Sequence, residues 1–463
     1  MLISEGPGGT IYLQSHNQSC QLKGLSGGMR KVIEFLSANQ ASEEELSEII
    51  LQEEGPQELA RLYYYVQKLV NLGLVCYSVP NGPYIVATYI PYSTGNPFLD
   101  IALDMNSRYL LSRFAYSRRE GRQLILESPL ANAGILLAHW QASAIINLLA
   151  GACSPEEILH QLPGLTEPAL QQFLLLLRHA GMLEVVDADS SIPEECNHAL
   201  QQWEFHDLLF HAHSRMGRYN QPAGITYRFL NKIKPLPTSK ESMSLECIRL
   251  YVPDMEKLKQ QDYPFSLVLE ERKSIREYAD NPITVQQLGE FLYRSARVKQ
   301  FYQANPQAGA LYDASRRPYP GGGACYELEI YLCINKCQDL EPGLYHYAPD
   351  RHELERLSGP TEQIQVLLKD AAYSAGLKDL PPVSIHITAR FQRVSWKYQS
   401  IAYSIILKDV GVLYQTMYLV AAAMDLAPSS IGSGHTDLLC QAAGLNYLEE
   451  SAVGEYILGS KRV

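Results

Sequence analysis

The chain has 463 residues, 46% of them apolar and 19% charged, so it can bury large cores and is not a disordered chain. Lysine and arginine number 39 against 50 aspartates and glutamates, a net charge of −11 that argues against a general nucleic-acid binder. Nine dispersed cysteines with no Cys-x-x-Cys pair fit a reducing compartment better than a disulfide scaffold, and no zinc-type ligand array appears. The length suggests about three domains.

The start, Met1 to Glu5, has no basic stretch leading into an apolar run, so a cytoplasmic location is expected. The first half carries an internal repeat. In the first copy, the apolar stretch Met29 to Leu36 precedes Ser42-Glu43-Glu44-Glu45, a capping box that predicts a helix start. Leu59, Leu62, Val66 and Leu69 form a helical stripe, Gly73 ends it, and Leu74 to Ser78 reads as a strand. In the second copy, Ile145 to Leu149 is apolar and Ser154-Pro155-Glu156-Glu157 is again a capping box. Leu170, Phe173, Leu174 and Leu177 make the stripe, Gly181 the cap, and Met182 to Val186 the strand.

Three short helices followed by strands is the winged-helix plan. Residues 27–80 hold four basic side chains against eight glutamates, and residues 130–190 hold only Arg178 against six acids. A DNA backbone would be repelled by both. Two readings stay open: modules that accept a peptide along a strand edge, or packing and dimerisation modules.

Connectors follow each copy. Asn81-Gly82-Pro83 and Thr94-Gly95-Asn96-Pro97 are turn chemistry. His206, His211 and His213 fit no strong metal motif and read as solvated or core-edge histidines. Lys232 to Lys240, with Pro235 and Pro237, reads as a linker. The expected division is a module over 1–95, a second over 96–190, a connector over 191–245 and a mixed α+β domain over 246–463.

In that last domain, Glu271-Arg272-Lys273-Ser274-Ile275-Arg276 places three cations and a hydroxyl within five residues, either an anion clamp or a solvated charged turn. Thr284 and Gln287 cap a helix with Val285, Leu288, Phe291 and Leu292 on its buried face. Pro320-Gly321-Gly322-Gly323 leaves bare backbone that a flat ligand can approach, and it is not a phosphate loop. Leu328, Ile330, Leu332 and Ile334 then alternate along a strand, Gly343 to Leu357 reads as a hairpin, and Val383, Ile385 and Ile387 mark another strand. Trp396-Lys397-Tyr398 precedes a long apolar segment, Ser400 to Ala427, which Lys408, Asp409, Gln415 and Asp425 make too polar for an ordinary membrane span; it reads as a core or interface helix. A lysine beside a tyrosine at a helix start can serve proton transfer, or can be an ordinary surface pair. Pro428 to His435 is a bare loop, and Lys461 and Arg462 lie at the end of the sequence.

The order Arg272-Lys273-Ser274-Ile275-Arg276, the Pro320-Gly321-Gly322-Gly323 loop before a strand, Lys397-Tyr398 and Gly432-Ser433-Gly434 resembles the flavin-dependent nitroreductase superfamily. More narrowly it is similar to the azoline dehydrogenases of ribosomal peptide natural products, and the doubled N-terminal module resembles that of the cyanobactin-pathway oxidases. The segment from Trp203 to Arg215 also resembles that subfamily. The resemblance implies a nitroreductase-like C-terminal domain behind two winged-helix, peptide-clamp-like modules, a homodimer, and flavin mononucleotide (FMN) as cofactor. It implies Arg272, Lys273, Ser274 and Arg276 at the phosphate, and Gly321, Gly322, Gly323, Gly432, Ser433 and Gly434 along the ring. Lys397 and Tyr398 match the catalytic pair. The implied reaction takes a thiazoline or oxazoline in a heterocyclised precursor peptide to the azole, by proton abstraction and hydride transfer to flavin N5, with no nucleic acid or membrane as partner. The superfamily loop usually has serine after its proline, where this chain has Gly321. Lys461 and Arg462 are candidates for further phosphate contacts. The alternatives are a nicotinamide-dependent nitro- or ene-reductase and a non-catalytic peptide-binding protein.

Overall fold

The computed structural model describes residues 2–7, 10–14, 19–92, 103–187, 189–217 and 222–462. The Thr94 to Pro97 turn expected from the sequence lies outside them. The chain divides into two compact units, Met1–Pro222 and Ala223–Val463, so the stretch 191–245 is shared between them.

The first unit opens with three antiparallel strands, Leu2–Gly6, Thr10–Gln14 and Ser19–Leu22, which the sequence reading did not contain. Three helices follow: Gly27–Ala38, Glu43–Glu53 and Leu59–Asn71. Met29, Val32, Leu46, Ile50, Leu62, Val66 and Val70 bury against one another between them. The Ser42 capping box is reciprocal: the Glu45 amide donates to Ser42 Oγ at 3.1 Å and the Ser42 amide to Glu45 Oε2 at 2.7 Å. Gly73 turns the chain at φ +64°, where a side chain would be strained. The strand begins at Tyr77, three residues later than expected, because Leu74 and Val75 still pack under the helices.

The second copy repeats the plan with Trp140–Leu148, Pro155–Gln161 and Glu167–His179, closed by Leu183–Val186. Its Ser154–Glu157 box is likewise reciprocal, and Gly181 sits at φ +68°. One five-stranded antiparallel sheet crosses between the copies, in the order Tyr77–Asn81, Tyr84–Pro91, Ala133–Leu137, Gln123–Glu127, Tyr116–Glu120. Asn81-Gly82-Pro83 makes the first hairpin turn, with Gly82 at φ +60°. His213 bonds the Tyr116 hydroxyl at 3.2 Å, and the His211 ring packs on Trp203.

The second unit is built on a seven-stranded antiparallel sheet. Its order is Cys247–Arg249, Glu353–Ser358, Gly343–Ala348, Leu328–Ile334, Val383–Arg390, Glu450–Ser460, Leu426–Ile431. The helices Val285–Ala296 and Ala402–Ala423 pack Leu288, Phe291, Leu413 and Met417 onto the face carrying Ile330, Leu332, Ile385 and Ile387. Glu362–Ala375 and Thr436–Ala443 cover Tyr331 and Cys333 on the other face. Both faces are therefore buried. The non-apolar positions of Leu328–Ile334 meet polar partners rather than water: Glu329 reaches His346 and Arg390, and Tyr331 donates to Glu450 at 2.8 Å.

Helix Ala402–Ala423 is long and apolar enough to cross a bilayer by length and composition. It nevertheless buries Ile406, Asp409, Val410, Leu413, Met417, Tyr418 and Ala421 in the core of this unit. Helix Val285–Ala296 carries the Thr284–Gln287 capping box read from the sequence.

Candidate active site

The site is strung along helix Ala402–Ala423. At its C-terminal half, Tyr418 is a hydrogen-bonding hub. Its hydroxyl lies 2.8 Å from Ser274 Oγ and 3.2 Å from Ser430 Oγ, and it accepts the Ser430 amide at 2.7 Å. Burial pushes this phenol up, but the hydrogen bonds from Ser274 and Ser430 outweigh burial and leave it below the ordinary tyrosine value. Tyr418 thus ties the loop 272–276 to the strand that leads into Gly432–Gly434. The Ile275 amide reinforces the tie by donating to Pro428 O at 2.8 Å.

Around the hub, Arg272 stacks its guanidinium 5.3 Å from the Tyr418 ring centroid, while Lys273, Ser274 and Arg276 are exposed. None of Arg272, Lys273 and Arg276 forms a salt bridge among the described residues. Three uncommitted cations beside a serine hydroxyl suit a phosphate monoester. Lys461 lies 3.3 Å from Asp425 and pairs with it, and Arg462 is exposed. Lys273 and Lys461 both line a cavity of about 260 Å³ whose walls include Tyr263, Glu271 and Asp425.

Nine residues N-terminal to Tyr418, about 14 Å along the helix axis, Asp409 accepts the Gly322 amide at 2.8 Å. The glycine loop needs its glycines for packing within the chain. A Cβ on Gly322 would lie 2.2 Å from Ile405 Cγ2, and one on Gly323, at φ +61°, 2.5 Å from both Lys397 Nζ and Tyr398 Oη. Gly321 backs onto the Tyr326 ring. Of the three, Gly322 has its amide committed to Asp409 and does not offer it to a ring.

Lys397 and Tyr398 therefore converge on Gly323. Short helix Phe391–Ser395 delivers them, and its Arg393 is buried with no carboxylate partner among the described residues. The guanidinium instead bonds the carbonyls of Leu236, Asp313 and Cys325 at 2.6–3.0 Å, fixing three loops around the site. Trp396 donates to Ile233 O at 2.7 Å, and Tyr398–Gln399 pairs with Gly224–Ile225. The linker read at Lys232 to Lys240 is thus part of the site's scaffold.

Lys397 Nζ lies 2.6 Å from Tyr312 Oη and 3.4 Å from Gly323 O, and Tyr312 donates to Gly323 O. Burial lowers the Lys397 pKa, partly opposed by the nearby Cys325 thiol, which burial itself pushes up to about 11. Burial raises Tyr398. Behind the loop, Glu327 and Asp409 are buried neighbours; desolvation raises both, and for Glu327 the Asp409 carboxyl adds to the rise.

Gly432 has open space around it, Ser433 Oγ lies 3.2 Å from Ser374 Oγ, and a Cβ on Gly434 would strike Glu455. Burial pushes Glu455 up to about 7. Among the described residues no hydrogen bond joins this loop to Gly321–Gly323; helix Ala402–Ala423 relates them.

Sequence reasoning missed Tyr312, Arg393, Asp409 and Tyr418 as site residues. Asp409 had left a signal, a carboxylate inside an apolar helix. Tyr312 and Tyr418 had none, since one tyrosine among 30 carries no mark, and Arg393 is one arginine with no local pattern around it.

Three family models tile this chain. The model of the cyanobactin oxidase ThcOx matches residues 109–220, and that of the ThcOx helix-turn-helix domain matches residues 2–98. The nitroreductase family model matches residues 269–459. The chain is thus similar to the cyanobactin oxidases over its N-terminal half and to the nitroreductases over its C-terminal half. The nitroreductase match marks the C-terminal unit as that of an oxidoreductase. A protein of Methanocaldococcus jannaschii named as a nitroreductase is 28% identical over 188 residues, 41% of this chain and 85% of that protein. The microcin B17-processing protein McbC of Escherichia coli is 29% identical over 138 residues, 29% of this chain and 48% of that protein. Among solved structures, a nitroreductase of Ralstonia eutropha shares 20% identity at a TM-score of 0.37, covering 52% of this chain and 100% of that one. The E. coli microcin synthetase McbBCD complex with truncated pro-MccB17 bound shares 18% identity at a TM-score of 0.33, covering 52% and 88%.

Proposed function

We propose that this protein oxidises a peptide azoline to the aromatic azole, with flavin mononucleotide as the electron acceptor. The observation that carries the reading is the convergence of Lys397 and Tyr398 on Gly323, at the loop where the flavin ring would lie. The cyanobactin oxidase family match and the relative named for processing microcin B17 support it.

Arg272, Lys273, Ser274 and Arg276 would hold the cofactor's phosphate, and the loops Gly321–Gly323 and Gly432–Gly434 would border its ring. Bound flavin supplies a two-electron acceptor that dioxygen returns to the oxidised state. Taking an azoline to an azole removes one proton and one hydride equivalent; this chain's own residues would take the proton, and bound flavin would supply the acceptor for the electron pair. Lys397 takes the proton: burial favours its neutral amine, which is the form that can accept one. Tyr398 stays protonated, so its hydroxyl orients the ring by donating a hydrogen bond.

In the N-terminal unit, Ser19–Leu22 is an edge strand, which supports the reading of that module as a handle that pairs with an extended peptide. Its excess of glutamates favours a peptide with basic character. Tyr403 and Leu407 lie exposed on helix Ala402–Ala423, a face suited to a second copy of the chain in a homodimer.

Anaerobic visible spectroscopy of the purified protein tests the reading. A yellow flavin spectrum that bleaches on adding a thiazoline-containing peptide is expected. A flavin spectrum that the peptide leaves unbleached, while reduced nicotinamide bleaches it quickly, would move the assignment to a nitro- or ene-reductase.

A further inference from the structure

Tyr312 lies on the segment that precedes the glycine loop, half-buried, with its ring edge-on to Trp396 at 6.1 Å. Lys397 Nζ sits 5.0 Å from its ring centroid, and Arg393 Cζ 5.8 Å. Its hydroxyl proton goes to Gly323 O, so its oxygen meets Lys397 Nζ as an acceptor, at 2.6 Å. The second acceptor within reach of Nζ is Gly323 O itself, at 3.4 Å.

A neutral amine nitrogen is tetrahedral, with one bond to Cε, two N–H bonds and one lone pair. Tyr312 Oη and Gly323 O are bonded to each other and lie in nearly the same direction from Nζ, so one N–H bond is aimed at the pair; that sets the rotation about Cε–Nζ and leaves the lone pair only the two remaining tetrahedral positions, both turned away from Tyr312. Neither acceptor is a carboxylate, so no ion pair holds the amine in its charged form. The other titratable groups around it are the Cys325 thiol, the phenols of Tyr398 and Tyr227, the Arg393 guanidinium, and the Glu327 and Asp409 carboxyls behind the loop.

We infer that Tyr312 is a positioning residue that fixes the rotation of the Lys397 amine and so aims its lone pair. The inference rests on the reading of Lys397 as the base. Tyr312 acts through Lys397, and without its hydroxyl the shorter of the contacts that orient the amine is gone.

Tyr312→Phe keeps the ring against Trp396 and removes only the hydroxyl. The test combines two measurements on the full-length, flavin-loaded protein. The first is trace labelling with acetic anhydride across pH, with the Lys397 peptide quantified by mass spectrometry. The second is single-turnover oxidation of a thiazoline peptide, in the wild-type and Lys397→Ala backgrounds. Losing an acceptor that stabilises the ammonium should move the labelling midpoint of Lys397 to lower pH. The oxidation rate should fall about 10–100-fold, on the scale expected of a misaligned catalytic group, with KM and flavin content within about 2-fold. In the Lys397→Ala background the same substitution should cost nothing further. An unmoved Lys397 midpoint, or an undiminished loss in the Lys397→Ala background, overturns the inference. If the wild-type protein itself leaves the thiazoline peptide unoxidised, the functional reading fails, and the labelling midpoint alone then decides the role of Tyr312.

Discussion

Arg272, Lys273 and Arg276 stand on a loop and form no salt bridge among the described residues, whereas Lys397 is buried and already hydrogen-bonded to Tyr312 and Gly323. The two regions lie at opposite ends of one stretch of helix, held by Tyr418 and by Asp409. Uncommitted charge at the surface is a binding device, since its partner must come from outside the chain. A cation whose surroundings disfavour its charge is a proton acceptor in waiting. The contrast separates holding a cofactor from doing chemistry beside it.

Substitutions should pull these two roles apart. The largest effect is expected at Lys397: Lys397→Ala should slow azoline oxidation by about 10²–10⁴-fold, with the flavin absorbance of the purified protein unchanged. The clamp should show the reverse. Replacing Arg272 and Arg276 together by alanine removes charge-assisted hydrogen bonds of about 1.5–3 kcal/mol each, so flavin affinity should fall by at least about 100-fold in a fluorescence titration. At saturating flavin the oxidation rate should recover.

The pH dependence sharpens the contrast. As the proposed base, Lys397 would work as a neutral amine, and burial places its pKa below the ordinary 10.5. The rate of oxidation should therefore rise with pH to a plateau, with a midpoint under 10.5, and fall away as acid protonates the amine. Flavin binding through guanidinium groups should show no such limb over the same range, because arginine does not titrate there. A kcat/KM profile that is flat from pH 6 to 10 would remove Lys397 as the base.

The smallest effects should come from outside the site. Ser42→Ala and Ser154→Ala each remove one reciprocal capping box and should cost about 1 kcal/mol in a denaturant melt, with flavin content and turnover untouched.

Local chemistry was the legible part of the sequence. Ser42, Ser154 and Thr284 announce their helices because a capping box is settled within four residues, and Gly73 and Gly181 announce the ends because only glycine takes that conformation cheaply. The alternation in Leu328–Ile334 identified the apolar face correctly but did not reveal that its other face is also covered. The three strands before Leu22 escaped notice because they are only four or five residues long. The order Arg272 to Arg276, Gly321 to Gly323, Lys397-Tyr398 suggested a site, yet Tyr312 and Tyr418 enter it through contacts 85 and 144 residues apart in the chain. No local pattern carries such contacts.

The five-stranded sheet of the N-terminal unit has a consequence for anyone who would exchange its two modules as cassettes. The two family models for this unit meet between residues 98 and 109, which invites a splice there. But Tyr84–Pro91 of the first copy is laddered to Ala133–Leu137 of the second through five residue pairs, from Ala87 with Leu137 to Pro91 with Ala133. A foreign first module would have to bring a strand that fits this ladder in length and register. The transplantable piece is therefore the whole unit up to Pro222, and peptide preference in such chimeras would travel as a pair of modules rather than one at a time.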